Sequence, residues 1–539
     1  MKKRTLTTLI LTAAMVFSFG TSGLAADGVA AAANPSYRTV AEVEDWGASI
    51  TKVIVNLGEG KKVDKGSVST DTFKVHVVKY QKDGKTLVNI PDKTDVTRQN
   101  KIPLQGGDRT ITKVYVSDKD GNPVDSSNFV TLELKIGPGD DLGSVIYSSG
   151  NFTSEWAVSK YTITQQKDIK TSNGVVSGIN VTNSTGEVKK VVDDFKKGTF
   201  KNAEDNVALN FVDYSPAQDN KKNPLIIWLH GMGEGGTDPT IPIAGNKACN
   251  FASKEIQDYF GGAYVLAPQA PTFWMEGTKS GSFGDGTSKY EKALMGLIKD
   301  YVSKHSDIDT NKIYIGGDSN GGYMTMVMVR DYGSYFAAAM PTCEALKDSL
   351  ITDEQINKMK NTPIWFTAAK SDFVVPVDQY TKATYDRLVK AGAKNVQMSL
   401  FDKVLDKTDL YKNKDGSPYE YFGHFSWIYV YNNDCVANIN GKATTMMEWL
   451  AAQSLNGSVS DGWAKNSDGT WKYVKADGSK ATGWFKDGDK WYCFNSDGVM
   501  QTGWIQDNGS WYYCNESGEM LANTTVGEYE LGNDGRYIN

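Results

Sequence analysis

Gly317-Asp318-Ser319-Asn320-Gly321 is the stretch that decides how this chain folds. Ahead of it, Asn311-Lys312-Ile313-Tyr314-Ile315-Gly316 predicts a short strand. Behind it, Gly322-Tyr323-Met324-Thr325-Met326-Val327-Met328-Val329 predicts the start of a helix. A serine flanked by glycines at a strand-to-helix turn is thrust out of the backbone, because so tight a turn admits only small neighbours. Ser319 is the candidate nucleophile.

Candidate partners follow in the order Ser, Asp, His, which is the order of an α/β-hydrolase. Pro363-Ile364-Trp365-Phe366-Thr367-Ala368-Ala369 has a buried-strand pattern, and Lys370-Ser371-Asp372 leaves its C-terminal end. Asp372 is the candidate acid, with Asp378 and Asp402 near enough to compete. Of the four histidines, His424 lies last, in the loop-like Tyr421-Phe422-Gly423-His424-Phe425-Ser426-Trp427. His305 falls at a helix end, and His76 sits alone in a strand as a structural residue. Upstream, Leu225-Ile226-Ile227-Trp228-Leu229-His230-Gly231-Met232-Gly233 predicts a strand running into a His-Gly loop.

A serine hydroxyl attacks only if a base removes its proton, and a histidine of pKa about 6.5 can take and return it. Asp372 would fix the tautomer of His424 and stabilise its imidazolium. The oxyanion of a tetrahedral intermediate needs preorganised donors. The backbone N–H of Asn320 is one candidate, and that of Met232, in the loop after His230, is the other. Trp274 reads equally as pocket lining or as packing.

At 539 residues the chain exceeds a single core, which rarely grows past about 250–300 residues. A net charge of −6 argues against nucleic-acid binding. Lys2-Lys3-Arg4, the apolar run from Leu9 to Phe19 and the small residues at Gly23-Leu24-Ala25-Ala26 predict an export leader over residues 1–26. That run is too short for the roughly 20 residues of a membrane span. Five cysteines without a C-x-x-C, and no H-E-x-x-H, point away from a zinc enzyme, and neither a metal nor an organic cofactor is expected. Asp118-Lys119-Asp120-Gly121 reads as a hairpin turn.

Residues 37–137 alternate apolar and polar between turn signals, as in Phe73-Lys74-Val75-His76-Val77-Val78, and predict an all-β sandwich. Residues 138–187 are Ser/Thr/Gly-rich and read as a loosely structured connection with a few strands. Residues 188–455 alternate strands with amphipathic helices, predicting a mostly parallel sheet with helices on both faces. Leu294, Leu297, Ile298, Tyr301 and Val302 lie at helical spacing there, and the last helix is expected over 444–453.

Residues 457–539 form a repeat array. Trp463, Trp484 and Trp504 each follow glycine at spacings of 21 and 20, and Trp471, Trp491 and Trp511 recur every 20. Each unit predicts one aromatic hairpin, and the units stack into a solenoid. Cys493 and Cys514 occupy related places, so a bridge between them is conceivable. Six of the 13 tryptophans and an excess of 12 acidic over 7 basic residues suit capture of quaternary ammonium groups, with stacking on sugar rings the competing use.

On Pro224-Leu225-Ile226-Ile227-Trp228-Leu229-His230-Gly231, Ala267-Pro268-Gln269, Gly317-Asp318-Ser319-Asn320-Gly321-Gly322 and Gly423-His424-Phe425-Ser426-Trp427, the central region resembles the secreted polyhydroxybutyrate-depolymerase-like and feruloyl-esterase-like branch of α/β-hydrolases, whose members are often labelled predicted peptidases. The preceding β domain looks like the immunoglobulin-like module found ahead of such esterases. The tail resembles choline-binding, or cell-wall-binding, repeats. That resemblance implies ligand contacts at Trp463, Trp471, Trp484, Trp491, Tyr492, Trp504, Trp511 and Tyr512. Lys472, Cys493 and Cys514 depart from its pattern, and the stretch 524–539 is degenerate enough to serve as a cap.

The expectation is an exported, wall-retained serine esterase acting through an acyl-enzyme. Its partners are an ester (feruloyl, acetyl-sugar or short-chain acyl) and a choline-bearing or glycan wall polymer. A serine peptidase on the same triad, and a surface adhesin with a vestigial hydrolase, remain alternatives.

Overall fold

Strict alternation along one apolar strand sorts its side chains between two cores. The computed structural model describes residues 34–90, 105–150, 152–171, 173–216, 221–455, 462–465, 470–475 and 479–538. In it Leu225, Ile227 and Leu229 pack on one face of their strand, and Ile226 and Trp228 on the other. A strand buried on both faces belongs inside a parallel sheet covered by helices on each side.

Eight strands form that sheet: β1 (Lys196–Lys201), β2 (Ala208–Tyr214), β3 (Asn223–Leu229), β4 (Tyr264–Gln269), β5 (Ile308–Asp318), β6 (Ala338–Thr342), β7 (Ile364–Ala369) and β8 (Val396–Phe401). Their spatial order is β1-β2-β4-β3-β5-β6-β7-β8. β2 runs antiparallel to both neighbours, and every pair from β4 to β8 is parallel. This is the α/β-hydrolase arrangement.

Helix α1 (Glu291–Lys304) turns Leu294, Leu297, Ile298 and Tyr301 into the core beneath Leu225 and Ile227, as their spacing predicts. Helix α2 (Asn320–Tyr332) leaves β5 through Ser319 and packs against the same core. Trp427–Tyr431 and Met446–Ala451 cover the opposite face. The latter is the helix expected over 444–453, shortened by its cap: Thr445 Oγ1 accepts from the Glu448 N–H at 3.3 Å.

The N-terminal region is a sandwich. One sheet runs in the order Ser184–Lys189, Ser36–Glu44, Gly47–Asn56, Phe129–Leu134, Ile111–Ser117. The other runs Asn180–Val181, Val158–Gln165, Phe73–Tyr80, Gly106–Arg109. The turn at Asp118 is closed by its own carboxylate, which accepts from the N–H groups of Asp120 and Asn122 at 2.9 Å.

Residues 138–187, read from sequence as a loose connection with a few strands, lend those strands to this sandwich and so belong to it. Val158–Gln165 pairs along its length with Phe73–Tyr80, and Ser184–Lys189 pairs in parallel with Ser36–Glu44. Val158–Gln165 buries only Tyr161 and Ile163, so its apolar signal is thin.

The sandwich and the hydrolase share one continuous apolar cluster. At their junction Gly47 has φ +104°, and a Cβ there would stand 2.8 Å from the Gly245 carbonyl oxygen, so only glycine permits this backbone approach. Lys247 Nζ lies 3.2 Å from Asp45 Oδ1, and Asn432 Nδ2 donates to the same oxygen at 3.0 Å.

Among its described residues the tail forms three antiparallel strand pairs, Gly462–Lys465/Trp471–Val474, Gly483–Asp487/Lys490–Phe494 and Gly503–Asp507/Ser510–Cys514, followed by a three-stranded sheet over 524–538. Each Gly-Trp ring packs on the next unit: Trp463 on Tyr492 (4.5 Å between centroids), Trp484 on Tyr512 (4.9 Å) and Trp504 on Tyr529 (5.2 Å). Cys493 and Cys514 are buried around Ile505 as free thiols, so the conceivable bridge is not formed. The expected leader over residues 1–26 lies outside the described residues. Among the described residues no helix is long and apolar enough to cross a membrane.

Candidate active site

The end of β5 must reverse sharply into α2, and the backbone leaves no room for side chains there. A Cβ on Gly317 would stand 2.5 Å from the Leu229 carbonyl oxygen, and one on Gly321 only 1.9 Å from it. Ser319 sits between them at φ 53°, ψ −113°, a conformation that L-residues seldom adopt. The strain projects its hydroxyl from the top of the sheet.

The loop after β7 and the loop before Trp427 bring two further side chains to that hydroxyl. His424 Nε2 lies 2.9 Å from Ser319 Oγ, and His424 Nδ1 lies 2.7 Å from Asp372 Oδ2. The other oxygen of Asp372 accepts from the N–H groups of Val374 (2.9 Å) and Val375 (3.0 Å), which aims the carboxylate. Asp372 is 4% exposed and His424 7%. Asp402 instead pairs with Lys370 at 2.7 Å, and Asp378 is exposed. The chain thus brings Ser319, His424 and Asp372 into one hydrogen-bonded line, in the geometry of a proton relay.

The remaining histidines serve the scaffold. His230 is fully buried, and its Nε2 accepts from the Ala270 N–H at 3.1 Å. The proton therefore sits on Nδ1, which donates to the Gly231 carbonyl at 2.8 Å. Burial pushes its pKa down to about 4, so the ring stays neutral and pins the loop after β3. His305 lies 4.1 Å from the Tyr301 ring, and His76 faces Asp108 at the surface. Trp274 is fully buried against His230 and Tyr290, which settles it as packing.

In the loop after β3, the Gly231 N–H is taken by Glu234 Oε2 at 3.0 Å. Met232 follows on the cavity rim, while Asn320 opens the first turn of α2 with its side-chain oxygen accepting from Met275 N–H at 3.0 Å. Among the described residues, neither the Met232 nor the Asn320 amide donates to a protein acceptor.

Sequence reasoning missed two features. Asp318 and Glu234 lie buried beneath the site, with Asp318 Oδ2 and Glu234 Oε1 lacking hydrogen-bond partners. Burial pushes Asp318 up to about 7, and burial with the nearby Asp318 charge holds Glu234 well above the usual carboxylate range. The second feature is a hairpin of the sandwich, Ile146–Gly150 with Thr153–Trp156, that reaches the cavity. That cavity, of ≈ 450 Å³, holds Ser319 and His424 at its base.

In the tail, Trp471, Trp491, Trp504 and Trp511 are exposed, whereas Tyr492 is buried between repeats. Trp463 Nε1 donates to Asp487 Oδ2 at 2.9 Å.

Comparison with known proteins follows these divisions. The esterase Ig-like N-terminal domain family matches residues 36–178, the choline-binding repeat family 481–524 and the prolyl oligopeptidase family 295–346. A thermostable esterase of known structure is similar over 78% of this chain and 99% of its own, at 27% identity and a TM-score of 0.60. The architecture is that of an α/β-hydrolase esterase carrying choline-binding repeats.

A poly(3-hydroxybutyrate) depolymerase from Ralstonia pickettii is 29% identical over 118 residues, which is 21% of this chain and 23% of that protein. The chain thus spans under a quarter of that curated relative. The choline-binding domain of Spr1274 from Streptococcus pneumoniae is 38% identical over 15% of this chain and 96% of its own, with a TM-score of 0.14. These likenesses are to hydrolases of the esterase and S9-peptidase type, and the choline-binding repeats suggest association with the cell wall.

Proposed function

We propose that the chain is an exported serine carboxylic-ester hydrolase, retained at the bacterial wall by its tail. The observation that carries this reading is the hydrogen-bonded line from Ser319 through His424 to Asp372 at the floor of an open cavity. As Ser319 Oγ bonds to the ester carbonyl carbon, its proton passes to His424 Nε2. The negative charge moves onto the carbonyl oxygen, held by the N–H groups of Asn320 and Met232. Collapse breaks the bond to the alcohol, which departs with the proton from Nε2 and leaves an acyl-enzyme. A water then gives its proton to His424 and attacks the acyl carbon, releasing the acid and restoring Ser319.

The tail reading rests on exposed tryptophans repeated at equal spacing, Trp471, Trp491 and Trp511, within an acidic array matching choline-binding repeats. Trp463, Trp484, Trp504, Tyr492 and Tyr512 build the packing between units. A cationic quaternary ammonium group suits such aromatic faces.

Initial rates on 4-nitrophenyl acyl esters and on peptide 4-nitroanilides, for wild type and Ser319→Ala, test the reading. Ester turnover should exceed amide turnover, and Ser319→Ala should lower kcat by at least about 10⁴-fold. Faster amide cleavage would favour the peptidase reading, which the prolyl oligopeptidase match around the elbow supports. Ester hydrolysis unchanged in Ser319→Ala would leave only the adhesin. Retention on immobilised choline, released by free choline, is expected of the tail; retention on polysaccharide alone would assign it to glycan.

A further inference from the structure

The sandwich does more than precede the hydrolase: its paired strands Ile146–Gly150 and Thr153–Trp156 are built into the cleft. Thr153 forms a parallel bridge to Gly233 in the loop that carries Met232. Trp156 Nε1 donates to Thr240 Oγ1 at 2.8 Å, and Lys189 Nζ lies 3.8 Å from the centre of the Trp156 ring. The hairpin is thereby fastened to both parts of the molecule. Ile146, Phe152 and Ser154 line the same cavity as Ser319 and His424.

Phe152 is unfavourable for folding twice over. Its φ of 56° is a conformation that strains a bulky side chain, and 70% of its surface faces water. A glycine or asparagine would hold the same turn without either penalty. A strained, exposed aromatic at a cavity mouth gains its contacts from something outside the fold. Across the mouth Met232, Phe283 and Val374 are also exposed, each on a different loop, so apolar surface rings the opening.

The charge of the lining narrows the occupant. Among the described residues it includes no lysine or arginine, while Glu234 and Asp318 are both acids. A carboxylate or phosphate on the substrate would meet no counter-charge there.

We propose that the N-terminal sandwich supplies the outer wall of the ester-binding cleft, with Phe152 selecting uncharged esters that carry a bulky apolar group. This rests on the esterase reading above. An acetyl group fills only the floor near Ser319, whereas a longer chain or an aromatic ring reaches the hairpin and covers the Phe152 ring.

The test compares kcat/KM for wild type, Phe152→Ala and Phe152→Trp on two pairs of esters: 4-nitrophenyl acetate against octanoate, and methyl acetate against benzyl acetate. The first pair lengthens the acyl side and the second enlarges the alcohol side. Phe152→Ala should lower the large-to-small ratio about tenfold in at least one pair, and Phe152→Trp should keep it, as loss of apolar contact demands. Thermal midpoints should stay together, because the ring is exposed. Ratios unchanged within about twofold in both pairs would overturn the wall, a margin well below the effect of one lost apolar contact. 4-Nitrophenyl hemisuccinate, in which a carboxylate replaces the terminal methyl of the butyrate ester, should react at least about tenfold more slowly than butyrate. Equal rates there would overturn the selection for uncharged esters. A wild type inactive on every ester would remove the esterase reading itself and this inference with it.

Discussion

Ser319 and His424 stand 105 residues apart, and His424 and Asp372 stand 52 apart, yet all three meet within hydrogen-bond reach. Trp471, Trp491 and Trp511 recur every 20 residues and never need to meet, since each sits at the same place on its own hairpin. The first arrangement depends on the whole buried sheet to align loop ends. The second depends on one turn and one neighbour at a time, as in other repeat arrays. A single change should therefore act steeply on the hydrolase and mildly on the tail.

The largest separation is expected from Asp372→Asn. The amide can still receive the Val374 and Val375 N–H groups through its oxygen, so the loop keeps its shape. Its NH₂ would then face Nδ1 and force the proton to Nε2, where it blocks removal of the Ser319 proton. A fall in ester kcat of about 10⁴-fold should result. Elution from immobilised choline should be unaltered. A fall of less than about tenfold would break the claim that this carboxylate sets the tautomer.

Next comes a matched pair of glycines. Alanine at Gly321 would place a Cβ 1.9 Å from the Leu229 carbonyl oxygen, a backbone atom that cannot swing aside. Gly321→Ala should cost about 3 kcal/mol or more. In the tail, Gly488 turns a hairpin at φ +58° with nothing within 4 Å of such a Cβ. Gly488→Ala should cost about 1 kcal/mol, from backbone strain alone. Urea titrations followed by hydrolase activity for the first and choline retention for the second would check both. Equal costs would deny that the two regions differ in backbone crowding.

Sequence made the hydrolase legible wherever its constraints are local and severe. Strands buried on both faces, such as Leu225–Leu229 and Ile364–Ala369, write themselves as apolar runs. The elbow announces itself because no other residue fits Gly317 or Gly321. Among the ring residues expected to contact ligand, Tyr492 turned inward: Trp491 is exposed while its neighbour Tyr492 packs beneath Trp463. Illegible were features fixed by long-range docking. Phe152 lines the cavity only because the sandwich joins the hydrolase along Gly47 and Asp45. Glu234 and Asp318 become neighbours only when the loop after β3 folds back over the elbow.

That buried acid pair gives the smallest effect and the finest test of the contrast. A carboxyl whose pKa is raised in the folded state keeps its proton to higher pH than the unfolded chain does. The unfolded state then binds fewer protons, so stability falls as pH rises toward the folded value. Asp318 is raised to about 7 and Glu344 to about 8, both chiefly by burial, and Glu234 is raised in the same direction. His230 works oppositely: lowered to about 4, it adds stability as pH rises to about 6.5, where the unfolded ring loses its proton. Between about pH 6.5 and 8 each raised carboxyl that titrates should cost the hydrolase up to about 1.4 kcal/mol per pH unit. Glu234→Gln keeps an oxygen for the Gly231 N–H and removes one charge, so it should flatten this slope in thermal midpoints. The tail should show no slope there: Glu519, beside Lys490, is lowered, so its contribution is lost only in acid. Identical slopes in wild type and Glu234→Gln would mean the two carboxyls do not share a buried charge beneath Ser319.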